Sequence, residues 1–504
     1  MAKIFFDKNA SRINSSLIQL LGGYTLTVIS LVQGFLLIPL YLSYIQTELF
    51  GFWVTVNSIV VILSIIDFGV SPIIVPIMSK LYAQKDFGKL ISYFINGTYI
   101  NIIICIIFLL ICIPLAPNLD YFLSIDKKYL AEVTLCFYLA VTIMILTIIN
   151  QSLIDFCNSI MKPLFQICIR VLGQLIGVIS IIFLLIFENG IISIPVGLLL
   201  CECFLFICLM LYIKSKLLFF PKNFRLDNSI IYSIILKIGH MIRANIGGKL
   251  VENSPNLIIT YFIGAESTTM YYILKKISDL IMRLIRIFAT SILSTYSNLL
   301  IVSTHEKVQI VTHHIVFIGL LSSLNLTSLY VIFNLDFISL WLPNIFIPGL
   351  KIVILIGLFT FFYSLFEILK FLHFSIGSYD LPAKLNLWAG ISAGITSIIS
   401  TPYLGIIAIP LSFFLCITFA AIKLLRSLIM KKYICISTDL IYRIIILFTI
   451  LLLFIYGYSY INFELNLINF ILVFVITLLT ISTLNIIIFY NEFSRIRNFL
   501  KGLN

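Results

Sequence analysis

The chain has 504 residues, 61% of them hydrophobic and only 11% charged, with a mean hydropathy of +1.14. That excludes a soluble globular protein, which has no interior large enough to hide so much apolar surface. The formal net charge of +12 does not call for nucleic acid, because basic residues here lie in or beside apolar runs, and a Lys/Arg excess is usual in the cytoplasmic loops of a membrane protein.

A span needs roughly 20 apolar residues to cross a ~30 Å hydrocarbon core, and such runs recur from end to end. The short alternating segments of a membrane β-barrel are missing. The first run, Leu17 to Leu40, follows Lys3, Lys8 and Arg12. It resembles the charged start of a secretory signal, but it is too long for a cleavable segment and lacks a small-residue cleavage site. It is read as the first span. Hydropathy and turn signals place about fourteen transmembrane helices, at 17–40, 49–70, 91–114, 131–150, 166–187, 191–213, 233–262, 269–300, 311–333, 349–372, 385–401, 405–424, 442–461 and 467–490. "FENG" at 187–190 and "TPYL" at 401–404 are tight turns between neighbouring spans. With the N-terminus in the cytoplasm, the inside segments hold 24 of the 33 basic residues, and the outside segments hold only Lys127, Lys128 and Lys351. A miscounted span would spoil that ratio, so both termini are expected to be cytoplasmic.

The ten cysteines do not form a disulfide framework. Most, such as Cys105, Cys168, Cys201 and Cys203, sit inside apolar runs, where a free Cys behaves as a small hydrophobe. Cys201-Glu202-Cys203 has the wrong spacing for a zinc knuckle. No metal or other cofactor is expected.

An internal repeat organises the chain. "YIQTELFGFW" (44–53) follows the first span and "FIGAESTTMY" (262–271) follows the seventh, at an offset of 218 residues. "NLDYFL" (118–123) returns as "NLDFIS" (334–339) at an offset of 216. Both pairs fall in equivalent outside loops. The expected domains are a six-helix lobe at 1–213, a cytoplasmic linker at 214–232 carrying Pro221, a second six-helix lobe at 233–430, and two further helices with a tail at 431–504. Six is even, so the second copy enters the membrane in the same orientation as the first. This parallel repeat suits alternating access, with substrate between the lobes.

Polarity concentrates in spans seven and eight. A charge at mid-membrane costs roughly 2.5–3.5 kcal/mol on insertion scales, so it must face a partner or water. In span seven, Asn245, Lys249, Glu252 and Asn256 form one helical stripe, with His240 and Arg243 nearly opposite. In span eight, Lys275, Asp279, Met282 and Arg286 are assigned to one face, flanked by Lys276 and Arg283. Two readings stay open for the ion pairs. Lys249–Glu252 and Lys275–Asp279 have the spacing of structural pairs within one helix, and Arg286 can snorkel. The six cations of the two spans nevertheless outnumber Glu252 and Asp279 by four. Unbalanced arginines at one level imply an anionic guest or a wet cavity, and the guanidinium fork suits phosphate oxygens. Glu252, Asp279 and Asp67, which ends span two, are the candidate ion-coupling or gating carboxylates; a helix-end role is the alternative for Asp67. Glu367 and Lys370 read as a structural i,i+3 pair. No catalytic constellation is found: there is no nucleophile–His pair, no phosphate-cradling Gly loop and no outside pair of carboxylates.

The stretch 37–86 carries a family likeness in Pro39-Leu40-Tyr41, Thr47-Glu48-Leu49-Phe50-Gly51, Trp53, Asp67-Phe68-Gly69 and the polar Lys80-to-Asp86 segment. It resembles the N-terminal signature of the polysaccharide flippases, the O-antigen and capsule repeat-unit translocases of the multidrug/oligosaccharidyl-lipid/polysaccharide exporter superfamily. "LWLPNIF" at 340–346 resembles that family's second-half loop. The resemblance implies a multi-pass protein of the bacterial cytoplasmic (inner) membrane. It implies a flippase moving an undecaprenyl-pyrophosphate-linked oligosaccharide to the periplasmic leaflet, with proton or sodium coupling and a glycan polymerase among its partners. On that reading Arg243, Arg283 and Arg286 hold the pyrophosphate. Lys249, Lys275, Lys276, Asn245 and Asn256 complete the substrate contacts, and Glu252 or Asp279 carries a coupling proton. A lipid II flippase of the same fold has the same chemistry. A multidrug exporter of cations should line its cavity with unpaired carboxylates instead. A membrane glycan polymerase, the remaining alternative, usually has a larger outside loop than any here.

Overall fold

The computed structural model describes residues 10–64, 70–123, 125–160, 162–217, 226–302, 304–343, 349–434, 442–443, 446–447, 449–450, 466–490, 492 and 494. Side chains are described except at 10–20, 72, 216–217, 237–245, 293–295, 297–298 and 301–302. The described residues build helices and connecting turns, as the hydropathy pattern requires: in lipid, a helix satisfies its backbone hydrogen bonds within one segment. The helices are α1 (Ala10–Tyr44), α2 (Thr47–Leu63), α3 (Val70–Gln84), α4 (Phe87–Leu115), the short α5 (Leu119–Leu123), α6 (Lys127–Ser159), α7 (Pro163–Ile186) and α8 (Ser193–Leu217). There follow α9 (Asn228–Phe262), α10 (Ala265–Val302), α11 (His305–Trp341), α12 (Leu350–Ser375), α13 (Asp380–Leu404), α14 (Ala408–Met430) and α15 (Leu467–Ile488).

Nine helical stretches among the described residues are long and apolar enough to cross a membrane. The molecule is a multi-pass membrane protein. Most of the expected span at 442–461 lies outside the described residues, as do Asp67, the extreme termini and positions 218–225 of the 214–232 linker, whose ends belong to helices α8 and α9. Two expected loops are helical: 401–404, read as a tight turn, is the last turn of α13, and 334–339, read as an outside loop, belongs to α11. One span also changes. The second span, read as 49–70 and followed by a polar loop, ends as helix α2 at Leu63, and the "loop" is mostly helix α3. α3 stops where Lys85 takes a φ of 63°. Asp86 then caps α4, its carboxylate accepting from the Lys89 backbone N–H at 3.1 Å. Asp227 caps α9 in the same way, accepting from both the backbone N–H and the hydroxyl of Ser229. Those bonds hold its carboxyl below the usual carboxylate range. The sign is that of any depressed acid: the cap contributes above the ordinary carboxylate pKa and fades as pH falls through the lowered value.

Packing divides the chain into two units, Met1–Thr269 and Met270–Asn504. In the first, α6 is central, packed by α2, α3, α4 and α8. Its core runs through Phe94 and Phe156, whose rings lie 4.7 Å apart. α9, which the sequence repeat assigns to the start of the second lobe, packs on α2 within the first unit. In the second unit, α12 lies between α11 and α14, and α14 also packs on α13. Phe333 and Phe337 of α11 meet Phe470 and Phe474 of α15 edge-on or tilted.

α7 and α8 approach most closely through glycines, the small-residue contact by which membrane helices gain packing without a hydrophobic driving force. A Cβ added at Gly197 would lie 2.9 Å from the Gly177 carbonyl oxygen and 2.3 Å from the Ile181 side chain. Gly197→Val should therefore force α7 and α8 apart, costing about 1–3 kcal/mol of overpacking. The expected outcome is a lower melting temperature of the detergent-purified protein, with Gly394→Val, where an added Cβ meets nothing within 4 Å, close to wild type.

Candidate functional site

α10 owes its position in the second unit to polar side chains that reach its buried face. The Tyr330 hydroxyl and the Asn334 amide of α11 donate to the Leu274 carbonyl at 3.1 and 3.4 Å. Ser278 shares a 2.6 Å hydrogen bond with Thr360 of α12. Tyr271, Leu274, Ser278, Ile281, Met282, Ile285 and Ala289 are all buried. The opposite face is partly accessible and carries Tyr272, Lys276, Asp279, Arg283 and Arg286, spaced 4, 3, 4 and 3 residues apart as one helical stripe. The face assigned from sequence, Lys275–Asp279–Met282–Arg286, is thus rotated. Met282 belongs to the core, and Lys275 is only 6% accessible.

Each charge on this helix has a definable setting. Lys275 reaches Asp279 at 3.4 Å, the i,i+4 pair that its spacing allows. Lys276 donates to the Tyr272 hydroxyl at 3.0 Å and lies 4.9 Å from that ring's centroid. Arg283 is the most open, accessible on the stripe. Arg286 donates to the Tyr363 hydroxyl at 2.9 Å, and its Nε stands 3.4 Å from a Glu367 oxygen. Lys370, one turn along α12, grips the other oxygen of Glu367. Glu367 is therefore shared by two cations. Its side chain is 1% accessible, against 40% for Arg286, so the triad carries one net positive charge with its anion innermost. The sequence reading treated Glu367–Lys370 as a closed structural pair and Arg286 as unbalanced. The pair is real, Arg286 joins it, and the excess of positive charge persists.

The candidates on α9 fall in the first unit. Lys249 and Glu252 are half-buried. Asn256 is buried and donates to Ser58 of α2 at 2.9 Å, so one donor serves helix packing. Arg243 and Asn245 lie on the α9 backbone where side chains are not described, and Asp67 lies outside the described residues altogether. No group of three or more metal-ligating side chains is assembled among the described residues.

One polar constellation escaped the sequence reading. Asn150 of α6 donates to the Glu202 carboxylate at 2.7 Å and to the Glu202 backbone carbonyl at 3.0 Å, and Thr147 also bonds that carboxylate. Arg170 of α7, counted from sequence as an inside-loop residue, lies within a helix and close enough to Glu202 to attract it. The available signal was a glutamate inside the apolar run 193–213, considered only for its flanking cysteines.

The triad predicts a coupled response. Glu367→Gln leaves Arg286 and Lys370 without their shared anion. Breaking a fully buried pair costs about 3–5 kcal/mol, and partial screening of Arg286 reduces this to about 1–3 kcal/mol. Adding Lys370→Met to that variant should recover most of the loss, read as the melting temperature of the purified protein.

No family model matches the chain, and no curated protein matches it. Solved structures do. A structure described as the lipid II flippase MurJ in an inward closed conformation is similar with a TM-score of 0.69 and 14% identity, covering 95% of this chain and all of that one. An inward-facing MATE-family multidrug resistance transporter of the MOP superfamily is similar with a TM-score of 0.60 and 13% identity, covering 81% and 94%. An outward-facing MATE transporter gives 0.56 and 14%, covering 84% and 95%. At such identities the likeness concerns the fold, and the fold of this chain is the one shared by MurJ and the MATE transporters of the MOP superfamily.

Proposed function

We propose that the protein is a flippase for an undecaprenyl-pyrophosphate-linked oligosaccharide, carrying it from the cytoplasmic to the periplasmic leaflet of the bacterial inner membrane by alternating access. One observation carries the reading: the accessible stripe of α10 presents Lys276, Arg283 and Arg286 with Asp279 as its one carboxylate, already engaged by Lys275. Such a stripe attracts an anion. Arg283 and Arg286 supply planar forks matched to phosphate oxygens, and Lys276 supplies a point charge. Asp279 and Glu252 are the carboxylates available to a coupling proton, and a glycan polymerase would receive the product. The sign of the stripe argues against export of cationic drugs, because a cation is drawn to carboxylates. Lipid II presents the same pyrophosphate and is the second reading; the fold shared with MurJ favours keeping it.

Glycan analysis separates these outcomes. Deletion should leave the intact lipid-linked repeat unit on the cytoplasmic leaflet. Accumulation of lipid II instead would assign the second reading, and single units appearing outside would point to a polymerase. Arg283→Ala with Arg286→Ala should lower surface glycan by roughly 10-fold or more, since a charge-assisted contact is worth about 1.5–3 kcal/mol and 1.4 kcal/mol is tenfold. Normal surface glycan in that double variant, with the protein present in the membrane, would remove the stripe from the mechanism.

A further inference from the structure

The first unit contains a second polar stripe, on a helix whose sequence is mostly apolar. Thr47, Gly51, Thr55 and Ser58 follow one another along one face of α2 at spacings of 4, 4 and 3. Each meets a small or polar partner. Asn256 donates to Ser58 at 2.9 Å. Thr55 shares a 2.5 Å hydrogen bond with Thr260 of α9, which in turn shares one of 2.7 Å with Thr268 at the start of α10. The Thr269 hydroxyl donates to the Thr47 carbonyl at 2.6 Å. Gly51 lies so close to α10 that an added Cβ would stand 1.8 Å from the Ala265 carbonyl oxygen and 2.9 Å from the Thr269 hydroxyl.

The numbering of these contacts carries the argument. The repeat offset of 218 residues maps Thr47 onto Ala265 and Gly51 onto Thr269. Gly51 touches Ala265, and Thr47 is bonded by Thr269. Each position thus contacts the repeat-mate of the other, the reciprocal exchange that two copies of one segment make when they meet across a two-fold axis. Both helix starts follow loops that the distribution of basic residues along the sequence assigns to the outer side. The chemistry of the seam also differs from the permanent cores. Most of its hydrogen bonds join small hydroxyl and amide groups, which water can satisfy as well, so separating them leaves no unpaired polar group. The Phe94–Phe156 and Phe333–Phe474 cores have no such substitute.

We propose that the first turns of α2 and α10 form an outer gate, closed in this structure by the reciprocal contacts Gly51–Ala265 and Thr269–Thr47 and extended inward by Thr55–Thr260 and Asn256–Ser58. The gate rests on the alternating-access reading but not on the identity of the lipid carried. Gly51 is its keystone, because a side chain at that position and the closed state exclude each other.

The test is accessibility from outside. In a variant with the native cysteines replaced, Ser58→Cys serves as the reporter for a membrane-impermeant maleimide added to intact spheroplasts. The parent should label slowly and Gly51→Val several-fold faster, with Gly394→Val matching the parent. A folded Gly51→Val protein that labels no faster overturns the gate. If Gly51→Val does not accumulate, Thr269→Val keeps nearly the same volume, removes the bond to Thr47, and carries the same expectation and the same refutation. Conversely, Thr47→Cys with Thr269→Cys, joined by a short reducible bis-thiol reagent, should stop export and recover on reduction. Continued export with the cross-link formed overturns the gate too. Altered labelling together with unaltered lipid-linked glycan would refute the proposed substrate and leave the gate standing.

Discussion

Helix α10 has to satisfy two solvents along its length. Its inner face is pinned by neutral groups, with Tyr330 and Asn334 on the Leu274 carbonyl and Ser278 on Thr360. Its opposite face keeps Lys276, Arg283 and Arg286 accessible. Neither arrangement works alone. Without the pins, a helix this rich in charge has no reason to stay in the bundle, because each charge costs free energy in hydrocarbon. Without the Lys275–Asp279 pair and the Glu367 triad, the cations would repel one another and the helix would lose its register. The ion pairs settle how many positive charges the helix can carry, and the neutral bonds settle which way they point.

Two kinds of polarity are therefore divided between two places. The α10 stripe uses full charges, which bind strongly and selectively. The seam between α2, α9 and the start of α10 uses hydroxyls, an amide and a glycine, which bind weakly and part readily. A carrier needs both: groups that hold a guest against its hydration, and groups that let the wall around it open and close. The third polar set, Glu202 with Asn150 and Thr147, joins α6 to α8 inside the first unit and ties packed helices to one another.

What could be read from the sequence followed periodicity and charge. The apolar runs predicted the helices, and the polar clusters of spans seven and eight predicted that α9 and α10 carry charge. What could not be read depends on partners distant along the chain. Nothing local says that Arg286 reaches Glu367, 81 positions away, or that Lys275 turns inward while Lys276 turns outward; one helical step of 100° decides that, and only the neighbours choose the zero of the angle. The break after Leu63 was masked by apolar residues on both sides. Gly51 stood in the sequence only as part of a family-like motif, and the structure supplies the physical reason: the Ala265 carbonyl leaves room for a hydrogen atom and nothing larger.

From Lys276 to Arg286 the stripe rises ten residues, roughly 15 Å at 1.5 Å per residue. Ordinary phospholipids surround the protein in vast excess, and each offers a single phosphodiester at one depth. A ladder of three cations spread over that distance cannot be saturated by one such headgroup. It rewards a ligand whose negative charges are doubled and whose polar portion extends further along the helix. For the proposed lipid pyrophosphate, discrimination against the bulk lipid would reside in the span of the ladder rather than in the strength of any one rung.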